Sequence, residues 1–107
     1  MIVRLTRTAQ ADVEKAATWY EGRKEGLGEK FLDRVLETIN RIADNPKGYA
    51  PVVKDVRMVN VRRFPYGLWF RVVPEDGSIV IACLHQKRDR VLAAERALGI
   101  IQMPDPS

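Results

Sequence analysis

The first residues, "IVRLT" (Ile2 to Thr6), alternate apolar and polar, as a half-buried strand does. Val13, Ala16, Ala17 and Tyr20 then recur at helical spacing. That spacing predicts a first helix with Thr8 as its N-cap and with Asp12 and Glu14 near the positive end of its dipole. In "EGRKEGLG", Gly22, Gly26 and Gly28 weaken the helix and end it. A second helix should run from about Gly28 to Asp44, where Phe31, Leu32, Val35, Leu36, Ile39, Ile42 and Ala43 give a broad apolar face. Asn45-Pro46 stops it, because proline biases the preceding residue away from the helical region. The short link makes the two helices an antiparallel hairpin.

"KGYAP" reads as a loop. Three strands follow, over Val56 to Arg63, Tyr66 to Val73 and Ser78 to Gln86, with "EDG" (Glu75 to Gly77) as a tight turn between the last two. The last strand is apolar on both faces and should be central, covered on both sides. "RVLAAERALGI" can form a short last helix stopped near Gly99. The order is β-α-α-β-β-β with that short helix appended. The fold class is α+β: a small antiparallel sheet with an N-terminal strand and a helical hairpin packed on one face. Residues 1–99 form one domain, and 100–107, with "MPDPS", form a flexible tail.

The chain of 107 residues suits a single core. At this size it buries roughly two-thirds of its unfolded surface and folds without staples. Its longest unbroken apolar run is "IVIACL" (Ile79 to Leu84), far short of the ~20 residues that span a membrane. No basic-then-apolar signal opens it, and the lone Cys83 sits inside the apolar run, so a reducing cytoplasm is the expected location. Net charge is +4 and unevenly placed. Asp12 to Asp44 carries eight acids against six bases, net −2. Lys54 to Arg71 carries five bases against one acid, net +4, and His85 to Leu98 four against two, net +2. A basic second half suits an acidic partner, whether nucleic acid or an acidic protein segment; solvated surface strands would look the same.

One histidine and one cysteine in neighbouring positions of one strand cannot supply a zinc site. No P-loop and no GxGxxG is present. Cys83 and His85 share a strand face but stand about 7 Å apart, too far for a nucleophile–base pair. His85 precedes Lys87, Arg88 and Arg90 in "HQKRDR". It reads either as a general base for attack by a ribose 2′-OH, with arginines on the phosphate, or as a strand-end residue holding a loop. By parity Arg71 points with Trp69 and Val73, opposite Leu68, Phe70 and Val72. If the latter three face the hairpin, Arg71 stands on an open sheet face, where it and an aromatic could hold RNA or a peptide carboxylate. Arg62 and Arg63 point to opposite faces, so one of them can join it. Trp19 and Tyr20 cannot share the centre of one helical stripe, so one belongs at the rim, where an exposed aromatic docks peptides.

In this order and spacing, "ADVEKAATWYEGRKEGLGEKFLDRVLETINRIADNP", "VRRFPYGLWFRV" and "LHQKRD" resemble the ParE branch of the RelE/ParE toxin superfamily. These are toxins of bacterial type II toxin–antitoxin modules, also called plasmid stabilisation proteins. The resemblance covers roughly residues 2–90 and implies a curved antiparallel sheet carrying a helical hairpin. It implies a toxin that poisons DNA gyrase by binding, without cofactor or metal. The implied partner is an antitoxin, acidic and folding as it binds, in a hetero-oligomer. RelE-like relatives instead cut mRNA on the ribosome without a metal, and then His85, Lys87 and Arg88 would flank the scissile phosphate. Against that set, a strand arginine expected near Tyr66 or Gly67 is absent, and after Arg90 stand Ala93, Ala94 and Ala97, with no tyrosine or histidine. The usual H-x-x-R-x-P ends here in Arg90, not proline. A member that only binds antitoxin is the third reading. Candidates for antitoxin or target binding are Trp19, Tyr20, Arg62, Arg63, Arg71, Arg88 and Arg90.

Overall fold

In the computed structural model, which describes residues 2–99, β1 (Val3–Leu5) pairs in parallel with Ser78 to Val80 of β5 (Gly77–His85). The Thr6 N–H still bonds the Val80 carbonyl at 3.0 Å, and the chain then turns at once into α1 (Arg7–Arg23). This fixes the cap: the Thr6 hydroxyl, not that of Thr8, accepts the Ala9 N–H at 3.0 Å. Asp12 is correspondingly displaced from the first turn, which contains no acid, and its side chain is turned to other use. The proposed tail lies outside the described residues.

α1 and α2 (Leu27–Asp44) form the expected antiparallel hairpin. The Glu21 carboxylate accepts the N–Hs of Gly26 and Gly28, each at 2.9 Å, and so serves the start of α2. A Cβ on Gly28 would lie 2.6 Å from the Ala17 carbonyl oxygen, so glycine lets the helices close here. The hairpin covers one face of the sheet, with Phe31, Val35 and Ile42 against Leu68, Phe70 and Val80.

The sheet has five strands in the order β1-β5-β4-β3-β2 and is mixed, since β1 joins in parallel while the other pairs are antiparallel. β2 (Pro51–Val53) arises where the sequence reads as loop, and it pairs with β3 (Val56–Asn60) around Lys54-Asp55. Its three residues are too few to show an alternation. β3 ends at Asn60, before the expected Arg63, because Val61 to Pro65 turn back into β4 (Tyr66–Val73), with Arg63 at φ 71°. The β4–β5 register steps from Trp69–Ala82 to Phe70–Val80, so Ile81 is an extra residue in a bulge. The bulge leaves Ile81 and Ala82 both packed on the second face, while Val80 and Cys83 face the hairpin. That second face is covered by α3 (Arg90–Leu98), whose Ala93 and Ala97 sit on Val56, Trp69, Ala82 and Leu84. β5 is therefore covered on both sides, as its apolar composition predicts.

Candidate functional site

The segment after β5 is a closed turn. The His85 N–H donates to the Asp89 carboxylate at 3.2 Å, and the His85 carbonyl accepts the Asp89 N–H at 3.1 Å. The His85 ring accepts at Nδ1 the backbone N–Hs of Lys87 and Arg88, at 3.2 and 3.0 Å. The Arg88 guanidinium donates to both Asp89 oxygens, at 3.1 and 3.3 Å, and to the Tyr66 hydroxyl at 3.2 Å. These bonds, that to Asp89 first, hold Arg88 more firmly charged than usual. In turn Arg88, helped by the His85 N–H, holds the Asp89 carboxyl below the ordinary carboxylate range. The Arg88 side chain remains 62% exposed.

Beyond Val80, β1 no longer borders β5, and side chains take over that edge. The Asp12 carboxylate accepts the Cys83 N–H at 3.0 Å and an Arg96 N–H at 2.5 Å. Arg96 also donates to the Ile81 carbonyl at 3.3 Å. Both partners are nearly buried, with side chains 13% and 10% exposed. Burial pushes the Asp12 carboxyl above its ordinary value, against the opposing pull of Cys83 N–H and Arg96. Burial, with Asp12 nearby, also pushes the Cys83 thiol up to about 12, so this cysteine is an inert core residue.

Between α1 and α3 lies a groove of about 590 Å³ lined by Lys15, Ala16 and Trp19 of α1, Tyr66 of β4, Arg88 of the turn and Leu92 of α3. The Asp12–Arg96 pair and Cys83 also border it. Trp19 is the rim aromatic, 53% exposed, set edge-on to Tyr20 at 5.0 Å with the Arg23 guanidinium 5.1 Å from its ring centroid. Tyr20 is half-buried and joins Phe31, Phe64 and Tyr66 in one aromatic cluster.

The structure thus brings Trp19 and Arg88 to one groove, with Tyr20 behind them, and keeps the other candidates apart. Arg62 and Arg63 lie in the β3–β4 turn, so neither occupies a sheet face. Arg62 stands 4.0 Å from Glu37, and Arg63 lines a second groove with Phe64 and the α2 residues Lys30 and Arg34. Arg71 is not on an open face. It donates to the Ala97 carbonyl at 2.6 Å and to Asp55 at 3.1 Å, tying the end of α3 to the sheet. Arg90 is exposed at the first turn of α3. Sequence reasoning missed Lys15, Tyr66, Asp12 and Arg96. A signal for Asp12 existed: it lies three residues after Ala9 and four before Ala16, an acid beside a buried stripe.

The model of the ParE toxins of type II toxin–antitoxin systems, parDE, matches residues 3–90. The chain belongs to the ParE toxin family. In fold it is similar to a chain of a chromosomal ParDE toxin–antitoxin system from P. aeruginosa, with a TM-score of 0.67 and 21% identity, covering 79% of this chain and 95% of that one. No curated protein is similar enough to count as a match. In this ParE-family chain the match ends at Arg90, so Leu92 and Arg96, one wall of the groove, lie beyond it. Among the described residues no helix is long and apolar enough to cross a membrane.

Proposed function

We propose that this ParE-family chain inhibits DNA gyrase by binding and is neutralised by a cognate antitoxin, in a cytoplasmic hetero-oligomer. The commitment of the basic turn carries the reading. His85 spends Nδ1 on two backbone N–Hs, and Arg88 spends its guanidinium on Asp89 and Tyr66. A ribonuclease needs a base within reach of the attacking hydroxyl and cations free for the phosphate. Here His85 Nδ1 and the Arg88 guanidinium are engaged within the turn and on Tyr66, while Lys87 and Arg90 stay exposed beside them. The exposed Trp19 and Lys15 at the α1–α3 groove suit recognition of a protein instead.

The test is induced expression in a bacterium without antitoxin, with pulse-labelling of new DNA and new protein. An early fall in DNA synthesis with DNA-damage induction is expected. An early fall in protein synthesis with cleaved mRNA would favour a RelE-like ribonuclease with His85, Lys87 and Arg88 at the phosphate. Unaffected growth would leave only an antitoxin-binding member.

A further inference from the structure

We propose that residues 61–65 and 86–90, two basic segments side by side at one end of the sheet, form a surface that binds the phosphates of duplex DNA. The toxin then engages gyrase through the enzyme's bound DNA as well as through the protein. The link to gyrase rests on the reading above. The DNA contact goes beyond it and is measured without the enzyme.

The fold brings the two segments together. Tyr66 pairs with His85 where β4 begins and β5 ends. Just beyond, the Gln86 N–H donates to the Pro65 carbonyl at 2.9 Å. The Gln86 side-chain amide donates to the Tyr66 carbonyl at 3.0 Å and to Asn60 at 2.6 Å. The segment after β5 is thus tied to both ends of the turn between β3 and β4. Because β3 and β5 flank β4 at about 4.8 Å each, the two segments stand on the order of 10 Å apart.

These ten residues carry five cations and one acid, a net +4, which equals the net charge of the whole chain. Arg88 is paired with Asp89, which leaves Arg62, Arg63, Lys87 and Arg90, all exposed. Glu37 lies 4.0 Å from Arg62 but is bonded to Arg34 at 3.1 Å. In the neighbouring groove Lys30 and Arg34 are offset by Asp33 and Glu37, so the positive charge is concentrated on the two segments. Duplex DNA carries one negative charge per about 1.7 Å of axis, so a surface ~10 Å wide faces several phosphates.

The other side chains of this end decide between ligands. Single-stranded nucleic acid is held by stacking bases on exposed rings. The rings here turn inward: Phe64 and Tyr66 pack on Phe31, with centroids 5.1 and 5.3 Å away, and His85 packs on Tyr66 at 5.6 Å. A protein partner needs an apolar centre, and the exposed residues of the two segments are Pro65 and the five cations. The Gln86 amide is already bonded to Asn60 and Tyr66, so it does not read base edges. The contact is therefore with the DNA backbone and independent of sequence. That suits a toxin acting wherever gyrase lies on DNA.

The experiment measures binding of the purified chain to a labelled random-sequence duplex by fluorescence anisotropy, over a series of salt concentrations. It compares the original chain with Arg62→Glu, Lys87→Glu and the control Lys54→Glu. All three positions are exposed, and Lys54 lies at the opposite end of β3, in the turn that joins it to β2. Circular dichroism confirms that each variant is folded. With four free cations, the log–log plot of affinity against salt should have a slope of about −4. Arg62→Glu and Lys87→Glu should each weaken binding by about tenfold or more, and Lys54→Glu by no more than about twofold. No binding of the original chain at low salt, or an equal loss in Lys54→Glu, would overturn the proposal. Tighter binding to single-stranded RNA or to polyglutamate than to the duplex would give the surface to another partner and overturn it too. A supercoiling assay on the same samples separates the two readings. Gyrase inhibition without DNA binding would remove the DNA surface and keep the gyrase toxin. DNA binding lost in both variants, without gyrase inhibition by the original chain, would keep the surface and remove the gyrase reading.

Discussion

Asp12 and Arg96, 84 residues apart in sequence, meet at 2.5 Å over the open edge of β5. This contact decides how the last helix sits, and with it the shape of the groove. Asp12→Ala would leave the Arg96 guanidinium and the Cys83 N–H without their acceptor in a nearly buried place. The expected loss of stability is about 3–5 kcal/mol, read as a lower midpoint in urea unfolding. A loss under about 1 kcal/mol would mean that water replaces the carboxylate freely, as at an exposed pair.

Two carboxyls in this region should titrate in opposite senses. Burial raises the pKa of Asp12 in the folded chain, so the folded state holds that proton more readily than the unfolded one. Its contribution to stability therefore falls as pH rises from the ordinary carboxylate pKa through the raised one. Arg88 lowers the pKa of Asp89, so its contribution is complete above the ordinary value and is lost as pH falls through the lowered one. Carboxyl-carbon NMR titration should place Asp12 above the ordinary range and Asp89 below it. Asp12 titrating below that range would show that Arg96 outweighs burial.

Gly77 is the position where backbone geometry is least forgiving. It has φ 99°, and a Cβ there would lie 2.0 Å from the Ile2 carbonyl oxygen, the acceptor of the Ser78 N–H. Gly77→Ala should detach β1, with fast amide exchange at Ser78 and Thr6 and a stability loss of more than about 1 kcal/mol. Unchanged protection at both amides would contradict this account.

Arg71 donates to the Ala97 carbonyl at the end of α3. As a tie to the end of α3, its replacement by alanine should cost about 1–2 kcal/mol and speed amide exchange in α3, while the β4–β5 amides stay protected. If α3 exchange is unchanged, Arg71 is free for a partner.

The helical hairpin was legible because it is written in spacing. Phe31, Val35 and Ile42 mark a face that no strand would present, and Asn45-Pro46 marks its end. The alternation in β4 likewise separated Leu68 and Phe70 from Trp69 and Arg71. What was not legible depends on contacts between distant parts. Thr6 becomes the cap because of where β1 stops pairing with Val80. β2 exists because β3 offers it a neighbour, and its own residues carry no pattern. Arg71 looked open because the short α3 that covers its face was not joined to it by any local signal. The groove has the same origin. Trp19 and Arg88 are each conspicuous in the sequence, but only the tertiary fold places them around one space, and Lys15 reads there as an ordinary surface lysine.

The proposed gyrase toxin would act by binding alone, with no cleavage chemistry of its own. The most direct measurement adds the purified chain to purified DNA gyrase, ATP and relaxed plasmid, with ribosomes and mRNA in a parallel reaction. Lost supercoiling, accumulation of gyrase-cleaved plasmid and intact mRNA are expected. Normal supercoiling together with mRNA cut in the ribosome reaction would contradict it and make the His85–Arg90 turn a catalytic centre.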